Sequence, residues 1–216
     1  MSPPPLFQIE WHRNGNFPDI SFDSPVVTTL YSSPDNAARL ARYIEQHRSL
    51  FVLTGAGCST ASGIPDYRDD EGEWKHSKPV QFQDFTQNRL IRQRYWARSL
   101  LGWPRVFAAQ PGAAHLALTR LEQAGVIHLL VTQNVDRLHQ RAGASKVIDL
   151  HGNLEQVTCL NCQAHVSRVE LQDELRKANP AFNAESRGIA PDGDACLMIT
   201  IFPAFTSSIV LNAGGF

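Results

Sequence analysis

Residues 50–60, LFVLTGAGCST, run an apolar stretch straight into two glycines and a Ser-Thr pair. A short continuous apolar run suits a strand buried on both faces, the habit of strands in a parallel sheet. Gly55 and Gly57 then permit a tight turn and close approach of a ligand to the backbone. Ser59 or Thr60 can cap a following helical turn whose free N–H groups attract anions. Such a strand needs parallel partners and crossover helices. Residues 126–132 and 146–150 supply two more apolar runs. Asp35 opens a predicted helix to about His47, with Ala38, Leu40, Ala41 and Ile44 on its apolar side. Pro111 at a first helical position and Gly125 beyond the last turn bracket another, and Gly143 stops a short third. This rhythm predicts an α/β fold: a Rossmann-like parallel sheet with crossover helices.

Composition narrows the function. The formal net charge is −1 and 43% of the 216 residues are hydrophobic, so no global field favours nucleic acid or an anionic membrane. The start has no basic segment followed by an apolar one, and no apolar run approaches the length of a membrane span. The chain reads as soluble and cytoplasmic, with no membrane partner. Cys58, Cys159, Cys162 and Cys196 are too few and too uneven for a disulfide framework, which leaves reduced thiols or metal ligands. Residues 85–121 hold no acid but carry Arg89, Arg92, Arg94, Arg98, Arg105 and Arg120, together with Tyr95, Trp96 and Trp103. That interleave suits single-stranded nucleic acid or, equally, a helix with a solvated basic face and an aromatic core face. The second reading is preferred, and nucleic acid is not expected as a partner.

Three polar clusters fall at predicted strand ends, where open parallel sheets bind ligands. In the first, Gly63 follows Gly57 by six residues and Pro65 cuts the helix short, which departs from the dehydrogenase fingerprint. A loop folded over a cofactor is expected instead. In the second, Gln133, Asn134 and Asp136 offer groups for ribose hydroxyls or a carboxamide, or simply a helix N-cap. In the third, His151 precedes a glycine and is placed to act as a general base or to serve structure alone. Cys159 and Cys162 form one C-x-x-C, either half of the ligand set of a closed zinc site, which neither Cys196 nor His165 completes, or a redox dithiol.

Together, GAGCSTASGIPDYRD (55–69), TQNVDRLHQRAG (132–143), LHGNLEQVTCLNC (150–162) and GIAPDGD (188–194) resemble the sirtuin family of NAD-dependent protein-lysine deacylases. Tyr67 and the APDGD piece look closest to the branch with bacterial and mitochondrial-type members. The resemblance implies that Gly55, Ala56, Gly57 and Ser59 approach the NAD phosphates, with Asp66, Tyr67 and Arg68 on a loop over the nicotinamide ribose. It implies that Gln133, Asn134 and Asp136 fix the ribose and nicotinamide, that His151 is the catalytic base, and that Cys159 and Cys162 are metal ligands. NAD would be a consumed co-substrate and an acyl-lysine protein or peptide the other. The acyl group would pass to ADP-ribose with release of nicotinamide.

The expected organisation is an extended segment over 1–33, the first half of the NAD-binding domain over 34–155, a partial zinc-binding module over 156–195 and an atypical tail over 196–216. The tail, ACLMITIFPAFTSSIVLNAGGF from residue 195, lacks the family's second cysteine pair and Gly-Ser-Ser turn. A frameshifted or early-ended chain is therefore expected, with the C-terminal half of the sheet missing. The alternative it raises is an inactive NAD-binding remnant. Acyl preference and oligomeric state are not legible.

Overall fold

The computed structural model describes residues 34–47, 49–68, 71, 73, 75, 80–184, 186–197, 205–206 and 211–213. The expected extended segment over 1–33 lies outside the described residues. Two compact units divide the chain, Met1–Tyr43 and Ile44–Phe216. Helix α1 (Pro34–Gln46) carries Asp35 inside its first turn rather than ahead of it, where the carboxylate still faces the positive end of the helix dipole. Its expected apolar side is not buried: Ala38, Leu40 and Ala41 are exposed.

After α1 the chain continues with β1 (Leu50–Thr54) and a 3₁₀ turn over Ala56–Ser62, followed by α2 (Phe82–Gln87), α3 (Arg89–Ala108) and α4 (Ala113–Gln123). Then come β2 (Ile127–Thr132), α5 (Leu138–Arg141), β3 (Val147–Asp149), β4 (Gln156–Cys159), β5 (His165–Ser167) and α6 (Arg168–Ala178). Short strands β6 (Ser186–Ile189), β7 (Ala195–Leu197) and β8 (Leu211–Ala213) complete the order.

Strands β1, β2 and β3 form a parallel sheet in that order, as expected. Thr54 pairs with Thr132 and Thr132 with Asp149, so all three strands end level. One expectation fails here. β1 is not buried on both faces, since Phe51 (65%) and Leu53 (56%) are exposed while Val52 points inward. A continuous apolar run cannot by itself distinguish a strand covered on two faces from one covered on a single face.

α3 is where the sequence allowed two readings of its arginines. Asn88 caps it, its side-chain oxygen accepting from the N–H groups of Leu90 and Ile91 at 2.9 and 3.3 Å. Tyr95, Trp96 and Trp103 are all buried, and Phe85 of α2 meets Tyr95 edge to face at 5.1 Å. Fully burying one such ring stabilises by up to roughly 3 kcal/mol. Two arginines are internal clamps: Arg92 donates to the carbonyls of Phe85 and Thr86, and Arg98 to that of Ala195. The aromatic face is therefore core. Gly102 lets the helix touch the β6–β7 hairpin, because a Cβ there would meet the Gly193 carbonyl oxygen at 2.2 Å.

α4 starts later than Pro111. Gly112 is its N-cap, and the Gly112 N–H donates to His115 Nδ1 at 3.1 Å. Beyond the parallel sheet, β4 pairs antiparallel with β5 on one side and β8 on the other. Ser167 and Glu170 box the start of α6, and Arg168 lies fully buried over the Trp103 ring at 4.6 Å. The described parts of the expected tail join this body: β7 pairs with β6, and Phe205 is buried beside Trp96 and Leu175 in one apolar cluster. No helix among the described residues is long and apolar enough to cross a membrane.

Candidate functional site

Level strand ends bring the three predicted clusters together around a cavity of about 330 Å³. Ala56, Ser59 and Tyr67 line it from the turn after β1, Gln133, Asn134 and Asp136 from the end of β2, and His151 from beyond β3. Ile64, Tyr95 and Leu154 add apolar wall, and Pro191 and Asp192 of the β6–β7 loop close another part. Gly55, Gly57, Asp66 and Arg68 do not line the cavity. Asp66 is engaged with Lys75 at 2.8 Å, and Arg68 is exposed.

The turn after β1 is a 3₁₀ segment that Gly63 ends in the left-handed conformation (φ 83°), two residues before Pro65. Gly55 caps its start without a side-chain hydrogen bond, so neither Ser59 nor Thr60 does the capping expected of it. Neither Gly55 nor Gly57 has a positive φ, and a Cβ on either would meet open space. The protein's own packing therefore does not demand glycine at these two positions, which leaves room for a ligand to approach the backbone.

Ser59 instead holds the floor of the site. Its hydroxyl donates to Asp136 Oδ2 at 2.6 Å and accepts from Asn134 Nδ2 at 3.0 Å. The other Asp136 oxygen accepts the Leu138 N–H at 2.9 Å, so this carboxylate serves as both helix cap and site residue. Because His115 Nδ1 accepts from Gly112, its Nε2 carries the ring hydrogen toward Ser59 Oγ, 3.4 Å away. Burial holds His115 below its ordinary basicity, with the Asp136 charge acting against that. Between Asp136 and Leu138, Arg137 adopts φ 63°, a strained backbone for a non-glycine residue. Its ion pairs with Asp149 and Glu155 hold it there.

His151 is exposed at the cavity rim, and its Nδ1 lies 3.1 Å from the Gln133 carbonyl oxygen. A carbonyl only accepts, so Nδ1 bears the hydrogen and the neutral ring presents its lone pair at Nε2. Tyr67, half-buried, has its phenol pushed up by burial and then by Asp192 and Asp194, which keeps it a neutral donor.

Cys159 and Cys162 lie away from the cavity, where β4 turns into β5. The N–H groups of Cys162 and Asn161, with the Cys162 thiol, hold the Cys159 thiol below its ordinary value. That favours the thiolate a metal requires. Among the described residues no third histidine, cysteine or carboxylate joins the pair, whereas a closed zinc site needs four ligands.

Sequence reasoning gave no role to His115, His139, Thr54, Thr132 or Asp192. His139 lies within TQNVDRLHQRAG (132–143), and its approach to Thr54, Nε2 to Oγ1 at 2.9 Å, depends on strand register. His115 has a local trace, a histidine three residues after the Gly112 cap, whose ring reaches back to the cap N–H.

The chain is similar to known proteins in sequence and in fold. The family model described as Sir2 family matches residues 55–201. The NAD-dependent protein deacetylase of Xanthomonas axonopodis pv. citri (strain 306) is 56% identical over 166 residues, covering 77% of this chain and 57% of that protein. The NAD-dependent protein lipoamidase sirtuin-4 of Bos taurus is 45% identical over 185 residues, covering 84% and 59%. A solved Sir2–p53 peptide–NAD+ structure superposes with a TM-score of 0.56 at 29% identity, over 82% of this chain and 65% of that one. The chain thus spans about three fifths of the length of the curated relatives it matches.

Proposed function

The chain belongs to the Sir2, or sirtuin, family, and on that premise we propose that it is an NAD-dependent protein-lysine deacylase. Its substrates are NAD and an acyl-lysine protein or peptide, and its products are the deacylated lysine, nicotinamide and acylated ADP-ribose. Relatives named as deacetylases and a lipoamidase support this reaction class.

One observation carries the reading: His151 at the rim, its Nδ1–H held by the Gln133 carbonyl and its Nε2 lone pair left to take a proton. In this reading Nε2 accepts the proton of a ribose hydroxyl, which then attacks the acyl carbon. Gly55, Ala56, Gly57 and Ser59 form the face that the NAD phosphates approach. Gln133, Asn134 and Asp136 fix the ribose and nicotinamide, on a floor already ordered by Ser59. Asp66, Tyr67 and Arg68 belong to the loop over the nicotinamide ribose. Ile64, Tyr95 and Leu154 exclude water that would otherwise hydrolyse NAD. The same reading takes residues 34–155 as the NAD-binding part and 156–195 as a zinc-type module holding Cys159 and Cys162.

The test is nicotinamide release from NAD with an acetyl-lysine peptide. Peptide-dependent release that falls about 100-fold or more in His151→Ala is expected for loss of a general base. Release unchanged by that substitution would remove His151 from the mechanism. NAD binding without peptide-dependent release would replace the enzyme by a nucleotide-binding module.

A further inference from the structure

Under the glycine turn, Cys58 of the 3₁₀ segment, His115 of α4 and His139 of α5 converge, with one ligand atom from each lying within 4.8 Å of the others. Both histidines are fully buried and their rings meet at 4.8 Å. A tetrahedral zinc ion holds such atoms about 3.3–3.6 Å apart, given its bond lengths to sulfur and nitrogen, so modest side-chain rotations close the set. His139 is arranged as a ligand would be. The Thr54 hydroxyl donates to Thr132, so it accepts from His139 Nε2–H, and His139 Nδ1 is left buried with no hydrogen-bond partner. A metal-ligating histidine commonly donates its second nitrogen to an oriented partner in this way.

We propose that Cys58, His115 and His139 form an exchangeable Zn2+ site, separate from the Cys159–Cys162 pair. One thiolate and two imidazoles are the ligands of a borderline-soft dication. The unpartnered His139 Nδ1 is the lone pair such an ion would take. On binding, the Cys58 thiol proton leaves to solvent and the metal–sulfur bond forms. His115 already makes contacts through both ring nitrogens, to Gly112 and Ser59, and the metal must replace one of them. That competition makes the ion exchangeable and couples it to the floor of the cavity. The binding itself is independent of the deacylase reading.

Site-specific protection tests it. The metal-stripped protein is alkylated with iodoacetamide, with and without Zn2+, and modification of each cysteine is followed by peptide mass spectrometry. Zn2+ is expected to slow Cys58 alkylation at least tenfold in the wild type and not in His139→Gln, while any protection of Cys159 and Cys162 is the same in both. An unchanged Cys58 rate in the wild type, or equal protection in a folded His139→Gln, overturns the site. If His139→Gln loses its far-ultraviolet circular dichroism, Co2+ titration of wild type against Cys58→Ala decides: one equivalent fewer in the variant supports the site, and equal stoichiometry overturns it.

Discussion

Asp136 and Asp194 are both buried carboxylates, and the molecule treats them in opposite ways. At the strand tips, each Asp136 oxygen has a donor, the Ser59 hydroxyl on one and the Leu138 N–H on the other. Behind the β6–β7 turn, Asp194 is 1% exposed and neither oxygen makes a hydrogen bond, although Arg98 Nη2 approaches to 3.4 Å. Burial, reinforced by Asp192, raises the proton affinity of Asp194 well above the ordinary carboxylate value, and the opposing pull of Arg98 and Arg168 does not offset it. Polar groups matched donor to acceptor are rigid and ready for a ligand. The unmatched carboxylate is a tension that the surrounding packing sustains.

The comparison is tested hardest at its satisfied end. Asp136→Ala strands the Ser59 hydroxyl and the first N–H of α5 in a buried site. A loss of about 3 kcal/mol is expected from orphaning buried donors, read as a lower urea midpoint with unchanged slope. NAD affinity should fall in the same variant. A loss under about 0.5 kcal/mol, within the usual range of an ordinary surface substitution, would mean the network contributes little order.

Much of that network's address was legible in the sequence, and little of its wiring was. Leu50–Thr54 was located to the residue because an apolar run bounded by Gly55 admits few alternatives. Its exposed face was not foreseen, since run length reports hydrophobicity and not coverage. Ser59 was placed at the site by its position after Gly57, yet its bond to Asp136 spans 77 residues and exists only because β1 and β2 end level. The same register brings His139 to Thr54. α2 is not legible in the sequence, because six residues with one buried aromatic, Phe85, leave no readable period. The arginine-rich helix was resolved by the burial of Tyr95, Trp96 and Trp103, which composition cannot express.

The unsatisfied end predicts a gain. Asp194→Asn removes a charge the interior disfavours, while Arg98 keeps its bond to the Ala195 carbonyl and Arg168 keeps Ser99 and Gln172. A carboxyl whose folded pKa is raised gives its full stability below the ordinary value of 3.8 and loses it as the pH rises through the folded value. The variant should therefore be more stable than wild type by about 1–2 kcal/mol on the alkaline side, allowing for the new amide's own unmet hydrogen bonds. Its advantage should shrink as the pH falls. Urea melts at pH 5.5 and 8.5 read this, and an alkaline loss of stability would show that the ion pair with Arg98 outweighs the burial.

Glu122 lies between the two extremes and gives the smallest effect. Its Oε1 accepts from the Ser145 N–H, the Ser145 hydroxyl and the Lys146 N–H at 2.8, 2.7 and 3.1 Å, tying α4 to the entry of β3, while Oε2 has no partner. Burial pushes its pKa up, but the bonds from Ser145 and Lys146 outweigh that and hold it below the ordinary value of 4.5. The sign is thus opposite to Asp194: the stabilisation is present above 4.5 and is lost as the pH falls through the folded value. Glu122→Gln keeps an accepting oxygen but makes charge-assisted bonds neutral, a cost of about 1 kcal/mol at pH 7. Once the pH has fallen below the folded value, the wild-type carboxyl is itself neutral and the two proteins should melt together. Curves that stay parallel through that range would mean the three bonds act by geometry alone, and that satisfaction by donors, rather than charge, is what separates the strand tips from the hairpin.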